Sequence, residues 1–543
     1  MIILKSYKMT IKRLLELLQK FPVELLTFGF LLLIYSFLFS RYLLNDIDDT
    51  WTTAWVYYFI HDNTTQDIVF QENNPNYWGV RFFSHIFCYV YGSILLLIGF
   101  TRDNVHLISN FFGLGTLWCW YQLGKKVFSE KKDVFVFLLL LASSTLFFAS
   151  ANKGRSDMFV FFFMSLALWL FSDQKYFFSA LAACIAIETH PIGGLVFGYM
   201  AAYAYIFDKE LLRLKKQKGM LPLIAGGLLG LCGYVGLHFN ELSNLRAMFD
   251  ALPESSNFLY EHFFGRNSFR WRYWPDLFIF IAAGGWAIYR SSKRRQMTFP
   301  LLASLFLVAG SFAFRRSNFH YALFCYPAFL MLAVESFGSL RWKNISWLLF
   351  FFLGVLLPQY GYLCWKNGFC RDYRQYQKAV GSFPFPGNSL IYGHPADWFA
   401  LQKYRTFRSL TEFQPPDREF YLIEHDGTRY AHPDLVPVDK TGYYESLLKQ
   451  INLPSGGTVR ILKLTPLEQK TMGRQYQHKT GNTPKQGYSE TLDLYQWEYP
   501  LFRLRCLLCG LPEKLHSTTT RSGWISFPKN RFPLLRPLRQ CHQ

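Results

Sequence analysis

Four stretches of this chain, FGFLLLIYSFLF, VFVFLLLLASSTLFFA, FVFFFMSLALWLF and WLLFFFLGVLLP, are apolar on every side of a helix rather than along one stripe. A helix that is hydrophobic all round suits lipid, and many such segments follow one another between about Phe21 and Tyr362. With 51% apolar and 19% aromatic residues over 543 positions, the chain lacks the amphipathic periodicity by which a soluble core would absorb them. The expected fold class is an all-α polytopic membrane protein followed by a small α/β domain.

Charge placement sets the topology. The net charge of +20 does not point to nucleic acid, because much of the excess lies in short loops between apolar segments, where Lys and Arg act as orientation signals. Basic and acidic residues number five and one before Phe21, four and two in Gly124 to Asp133, five and two in Asp208 to Met220, and four and none in Arg290 to Met297. Those loops are expected in the cytoplasm. The loop Arg41 to Gly79 holds one basic and six acidic residues and is expected outside.

Parity then requires that one of the two apolar segments between Gly79 and Gly124 not cross. Arg81 to Phe100, with Arg81, His85 and its tyrosines, suits a helix at the outer interface. The expected spans are 21–40, 104–123, 133–151, 157–172, 177–189, 192–207, 219–238, 275–290, 298–314, 319–338 and 344–362, eleven in all, with the N-terminus inside. The N-terminus resembles an uncleaved signal anchor. The two short spans around THPIGG suggest irregular backbone lining a cavity.

Beyond the spans, residues 363–464 form an outer unit. NSLIYG, EFYLIEH and TVRILKL read as strands, and RQYQKAV and YYESLLKQ as helix-like stretches. The tail, 465–543, carries twelve basic and five acidic residues without periodicity and is expected to be poorly ordered. Cys88, Cys119, Cys184, Cys232 and Cys325 lie within apolar segments, where packing is the expected role. Cys364 and Cys370 can pair if their side is oxidising, and Cys506 and Cys509 lack the second ligand pair of a zinc site.

Reactive residues gather on the outer face: Asp48 and Asp49; Glu72; Arg155 and Asp157 in NKGRSDMF; His190 in ETHPIG; Arg266, Arg270 and Arg272 in GRNSFRWRYW; Arg315, Arg316, His320 and Tyr321 in RRSNFHYALFCYP. Carboxylates alongside Arg and His suit a reaction between an anionic lipid phosphate and a nucleophile that must lose a proton. Arg holds phosphate oxygens, and a carboxylate takes the acceptor proton. The plainer readings are an N-cap for a helix beginning near Thr50, a structural Arg155–Asp157 pair, a packing His190 and arginines on lipid head groups.

An acidic pair after the first span, the basic turn GKKVF, an R-x-D opening a later span, the Pro-Gly break and the Arg-rich segment ending in HYALFCYP resemble, in that order, the GT-C glycosyltransferases. The nearest group is the protein O-mannosyltransferases and aminoarabinose (lipid A) transferases, and the resemblance covers about Phe21 to Leu340. It implies transfer of a sugar from a polyprenyl-phosphate donor, outside the membrane and with inversion. Under it Asp48 is the general base or acceptor-orienting group, Asp49 supports it, Asp157 is the second acidic position beside Arg155, and Arg315 to Pro327 line the donor pocket. His190 stands where the aminoarabinose branch typically carries Lys near the lipid phosphate, which points away from aminoarabinose as donor. The outer unit is not the repeated carbohydrate-binding module of eukaryotic protein mannosyltransferases, so a bacterial lipopolysaccharide or envelope glycan fits better than a protein acceptor.

The partners so implied are the lipid-linked donor, the bilayer of a bacterial inner membrane, and a glycan, lipid or protein acceptor. Carboxylates are able to bind Mg²⁺ or Mn²⁺ through oxygen, but no spacing demands a metal. Two alternatives are an O-antigen ligase or polymerase with a pyrophosphate donor, and a lipid or glycan transporter.

Overall fold

Helices fill most of the described chain and are followed by one small sheet. The computed structural model describes residues 47–64, 68–69, 84–212, 217–239, 274–294, 297–311, 319–337, 371–410, 413, 416–426, 438, 440–453 and 457–467. The expected spans 21–40 and 344–362, the segment 363–370, the cysteines beyond Cys325 and the tail beyond Leu467 lie outside the described residues. So do Glu72, Arg266, Arg270, Arg272, Arg315 and Arg316.

The helices are α1 (Ile47–Asp62), α2 (His85–Ile98), α3 (Arg102–Val127), α4 (Lys131–Ser143), α5 (Thr145–Ala151), α6 (Asp157–Ser172), α7 (Tyr176–Thr189), α8 (Val196–Phe207), α9 (Gln217–His238), α10 (Trp274–Arg294), α11 (Phe299–Ser311) and α12 (Tyr326–Phe337). Short 3₁₀ turns, Pro191–Leu195 and Phe319–Phe324, precede α8 and α12. Among the described residues one helix segment, Gly219–His238 of α9, is long and apolar enough to cross a bilayer by itself. The other apolar helices between α2 and α12 are shorter, bent or more polar, so the count of eleven spans is not reached here. Leu97 on α2, Phe111 on α3, Leu221 on α9 and Ile281 on α10 are all exposed, the arrangement that a lipid-facing surface requires.

The expected span 133–151 is broken by 61° between α4 and α5. Ser144 supplies a cap, its hydroxyl accepting from Phe147 N at 3.0 Å, and Asp276 Oδ2 accepts from Thr145 N at 3.1 Å and Leu146 N at 3.3 Å. These bonds satisfy amides that a continuous helix would have bonded four residues back, so the chain can turn inside an apolar run.

Basic turns meet at one end of the bundle. Lys126 pairs with Asp173 and donates to Ser172 O at 2.7 Å, and the Tyr176 hydroxyl donates to Asp208 at 2.8 Å. The start of α1, the α5–α6 turn, the α7–α8 break and the end of α9 lie at the other, tied together by Gly154 N donating to Asp49 and by Glu188 meeting His238. Between the ends the core is aromatic: Trp120 meets Tyr199 edge-on at 5.4 Å, and the Tyr199 hydroxyl donates to Phe324 O at 3.0 Å. Cys88, Cys119 and Cys325 are buried in it, whereas Cys184 is half-buried and Cys232 is exposed, so packing does not account for Cys232.

The sheet unit contains α13 (Arg371–Gly381), β1 (Ile391–Gly393), a 3₁₀ turn Pro395–Asp397, α14 (Trp398–Leu401), β2 (Phe407–Ser409), β3 (Phe420–Asp426), β4 (Tyr443–Asn452) and β5 (Thr458–Pro466). Strand order is β2-β1-β3-β5-β4, with β1 parallel to both neighbours and the rest antiparallel. Alternate residues divide between faces. Tyr392, Phe420, Leu422, Leu462 and Leu464 form one cluster, while Ile391, Tyr421, Ile423, Val459 and Ile461 join the core shared with the helices.

YYESLLKQ, expected as helix-like, lies in the ten-residue edge strand β4. One edge of its backbone pairs with β5, and a register irregularity between Leu447 and Lys449 interrupts the two-residue alternation that would have marked it in sequence.

Candidate active site

The described part of α1 starts at Ile47, so the acidic pair lies within the helix and not at a cap before Thr50. Asp49 is buried. Its Oδ2 accepts from His106 Nε2 at 2.8 Å, and its Oδ1 from the Gly154 amide at 2.6 Å. One turn later the Thr53 hydroxyl donates to Asp49 O at 2.6 Å. A buried carboxylate is stable only when so matched, and here partners from α3 and the α5–α6 turn converge on it. Asp48 precedes it in the same helix; its side chain lies outside the described residues.

Gly154 admits this approach. A Cβ there would stand 2.2 Å from Val105 Cγ1 and 3.5 Å from Asp49 Oδ1. Below it Asn110 Nδ2 donates to His106 O at 2.9 Å and to Asn152 Oδ1 at 3.2 Å, linking α3 to the same turn.

The turn then delivers Arg155 and Asp157, whose Nε and Oδ2 lie 2.9 Å apart, with Arg155 the more exposed of the two. Asp157 opens α6, where a carboxylate also meets the positive end of the helix dipole.

His190 lies in the α7–α8 break, within the field of Arg155 and Asp157. Its Nδ1 accepts from Ile192 N at 3.2 Å, capping the 3₁₀ turn, and its ring lies 5.4 Å from that of Tyr321. Burial pushes the imidazole down from the usual 6.5 to about 4, with Asp157 opposing and Arg155 adding to that direction. At neutral pH the His190 ring is therefore uncharged. The break is sharp because Gly193 packs on α7, where a Cβ would stand 2.5 Å from the Ala186 carbonyl.

A second buried set adjoins this break. Glu188 Oε1 accepts from His85 N at 2.6 Å and lies 3.2 Å from His238 Nε2, while both its oxygens lie 3.3 Å from Ile86 N. The His85 and His238 rings stack at 4.1 Å, and His85 meets Phe59 of α1 at 5.0 Å. Glu188, on α7, therefore caps α2 and pairs with α9 at once, while His85 carries the contact on to α1.

The structure thus brings Asp49, Arg155, Asp157, His190 and Tyr321 to one end of the bundle. Sequence reading missed His106, Asn110, Gly154 and Glu188. The signal for the first two was a His and an Asn four residues apart inside the expected span 104–123, and Glu188 stood inside ETHPIG beside the residue that was singled out. Among the described residues no three His, Cys, Asp or Glu side chains converge as a metal site.

No family model matches the chain. A protein of Aquifex aeolicus (strain VF5), named only as uncharacterized, is 24% identical over 254 residues, 44% of this chain and 49% of that protein, so the match spans about half of the relative. Two crystal structures of ArnT from Cupriavidus metallidurans, one bound to undecaprenyl phosphate and one in the apo state, align with a TM-score of 0.54 over 80% of this chain and 97% of theirs. Their identities to it are 12% and 11%. The chain has the fold of ArnT, and the GT-C architecture expected from its motifs is borne out.

Proposed function

We propose that the chain is an integral membrane glycosyltransferase of the bacterial inner membrane. It moves a monosaccharide, hexose or pentose, from a polyprenyl-phosphate donor to a lipopolysaccharide, glycan or protein acceptor on the extracytoplasmic face, with inversion. The observation that carries this reading is the junction of a buried, fully matched Asp49 with the Arg155–Asp157 pair through the single residue Gly154, in a fold shared with ArnT. That ArnT was crystallised with undecaprenyl phosphate supports a polyprenyl-phosphate partner.

In the reaction the acceptor oxygen attacks the anomeric carbon while the bond from that carbon to the phosphate oxygen breaks, and the acceptor proton passes to a carboxylate. Asp48 is that base. Asp49, with both oxygens engaged, is a positioning residue that fixes the start of α1. Arg155 receives the charge developing on the departing phosphate, joined by Arg270, Arg315 and Arg316 from the loops. Asp157 orients Arg155, Tyr321 and neutral His190 shape the donor pocket, and Glu72 contributes from the first outer loop.

The test is sugar transfer in proteoliposomes from a panel of polyprenyl-phosphate monosaccharides to total envelope acceptors, comparing wild type with Arg155→Gln. Transfer by wild type and a loss on the order of 10²-fold in the variant support the reading. Equal transfer by both removes Arg155 from the site.

A further inference from the structure

A cavity of about 440 Å³ opens where the sheet unit meets the loop that follows α1, lined by Ile68, Asn388, Lys403, Arg405, Thr406 and Arg408 together with Gly387. Three cations border it and, among the described residues, no carboxylate does. From these features we infer that this cavity is a binding site for a phosphoryl group carried by the acceptor or by an anionic lipid headgroup, separate from the candidate active site.

The cations are gathered by local chain geometry. Lys403 and Arg405 lie in the turn between α14 and β2, and Arg408 lies in β2 itself. Arg408 is aimed by its own backbone, its Nη1 donating to Arg405 O and Phe407 O, both at 2.9 Å. Lys403 Nζ stands 4.9 Å from the Tyr404 ring, and Arg405 Nε lies 3.5 Å from Asp62 Oδ2 at the end of α1. Asp62 partly offsets Arg405, while Lys403 and Arg408 add like charge within the same six residues, and a bound dianion would relieve the repulsion that remains. Arginine forks match phosphoryl oxygens in pairs, and Asn388 adds a neutral donor. The volume falls in the ~300–1,000 Å³ range of small-molecule sites, so it accommodates a phosphorylated sugar or headgroup and not merely an ion.

Its position also fits. The opposite wall belongs to the loop carrying Ile68, which β2 holds through Ser409 N donating to Val69 O at 2.9 Å. Arg405 reaches α1 thirteen residues after Asp49, about 20 Å along a helix. A phosphorylated glycan or glycolipid reaching both places would be gripped at one and modified at the other. The acceptor source rests on the transfer reading; the phosphoryl site does not.

The experiment uses the full chain in phosphatidylcholine nanodiscs and inorganic phosphate as probe, followed by ³¹P line broadening. Wild type is compared with the double variant Lys403→Gln/Arg405→Gln and with Arg405→Lys, all matched by thermal melting. The double variant is expected to lose on the order of tenfold in phosphate affinity, and Arg405→Lys, which keeps the charge but not the fork, to lose less. Equal binding by wild type and the double variant overturns the site.

Replacing part of the lipid with phosphatidylglycerol separates the sources. If the difference then vanishes, the occupant is a lipid headgroup. If it persists and the double variant raises KM for envelope acceptors about tenfold at unchanged kcat, the occupant is the acceptor. Persistence without a KM change overturns both sources. If no transfer occurs with any donor, the transferase reading fails, and the phosphate titration and its lipid arm still decide the site.

Discussion

His106 Nε2 lies 2.8 Å from Asp49 Oδ2, both side chains out of contact with solvent, joining α3 to the helix that carries the acidic pair. Removing one partner strands the other. Asp49→Ala is expected to destabilise the chain by about 3–5 kcal/mol, and Asp49→Asn, which keeps an acceptor for the Gly154 amide, by roughly 1–3 kcal/mol. Thermal unfolding in detergent checks both values. Near-equal melting of Asp49→Ala and wild type would show that the pair holds nothing in place.

Gly154→Ala forces a methyl against Val105 Cγ1 at 2.2 Å, so either the turn or α3 must move, and the amide bond to Asp49 moves with it. A loss of transfer on the order of tenfold to a hundredfold is expected. Val105→Ala clears the same space, and the double variant should recover most of the lost rate.

Glu188 holds three elements with one carboxylate, so Glu188→Ala leaves the first amides of α2 and the facing His238 without it. The expected loss is about 3–5 kcal/mol. Glu188→Gln should fall between wild type and alanine, because its amide oxygen still accepts from His85 N. Hydrogen exchange localised to the start of α2 would register the change directly.

The pH dependence follows from His190. Its folded value of about 4 lies below the usual 6.5, so between those limits the unfolded chain binds a proton that the folded chain does not. Stability contributed by the neutral, half-buried ring is therefore full above about pH 6.5 and falls as the pH drops toward 4. At pH 5 the loss is on the order of 2 kcal/mol relative to neutral pH. In detergent melts at the two pH values, His190→Gln should show a smaller acid loss than wild type. An equal or larger loss would mean that the ring is not held neutral.

Much of the bundle was legible because all-round apolar segments leave few alternatives: α6 and α7 begin and end within a residue of the expected 157–172 and 177–189. The break before α5 was not, since the Ser144 cap is completed by Asp276, 131 residues away. The strand β4 was hidden for a related reason, its bonds being supplied by β5 across a register irregularity. At the site, charge and parity pointed to Asp49, Arg155, Asp157 and His190, which the fold places at one end. His106 and Glu188 escaped because a buried polar residue in an apolar helix reveals its purpose only when its partner is known.

The proposed reaction turns on an acidic residue of α1 that takes the acceptor proton in sugar transfer from a lipid-linked donor. The direct measurement is transfer of radiolabelled sugar from polyprenyl-phosphate monosaccharides in proteoliposomes, by wild type and by Asp48→Asn at matched folding. Transfer by wild type with at least one donor and a loss on the order of 10²-fold or more in the variant are expected. Equal transfer by the two proteins would contradict the role of Asp48, and no transfer with any donor would put the pyrophosphate-dependent ligase and the transporter ahead of it.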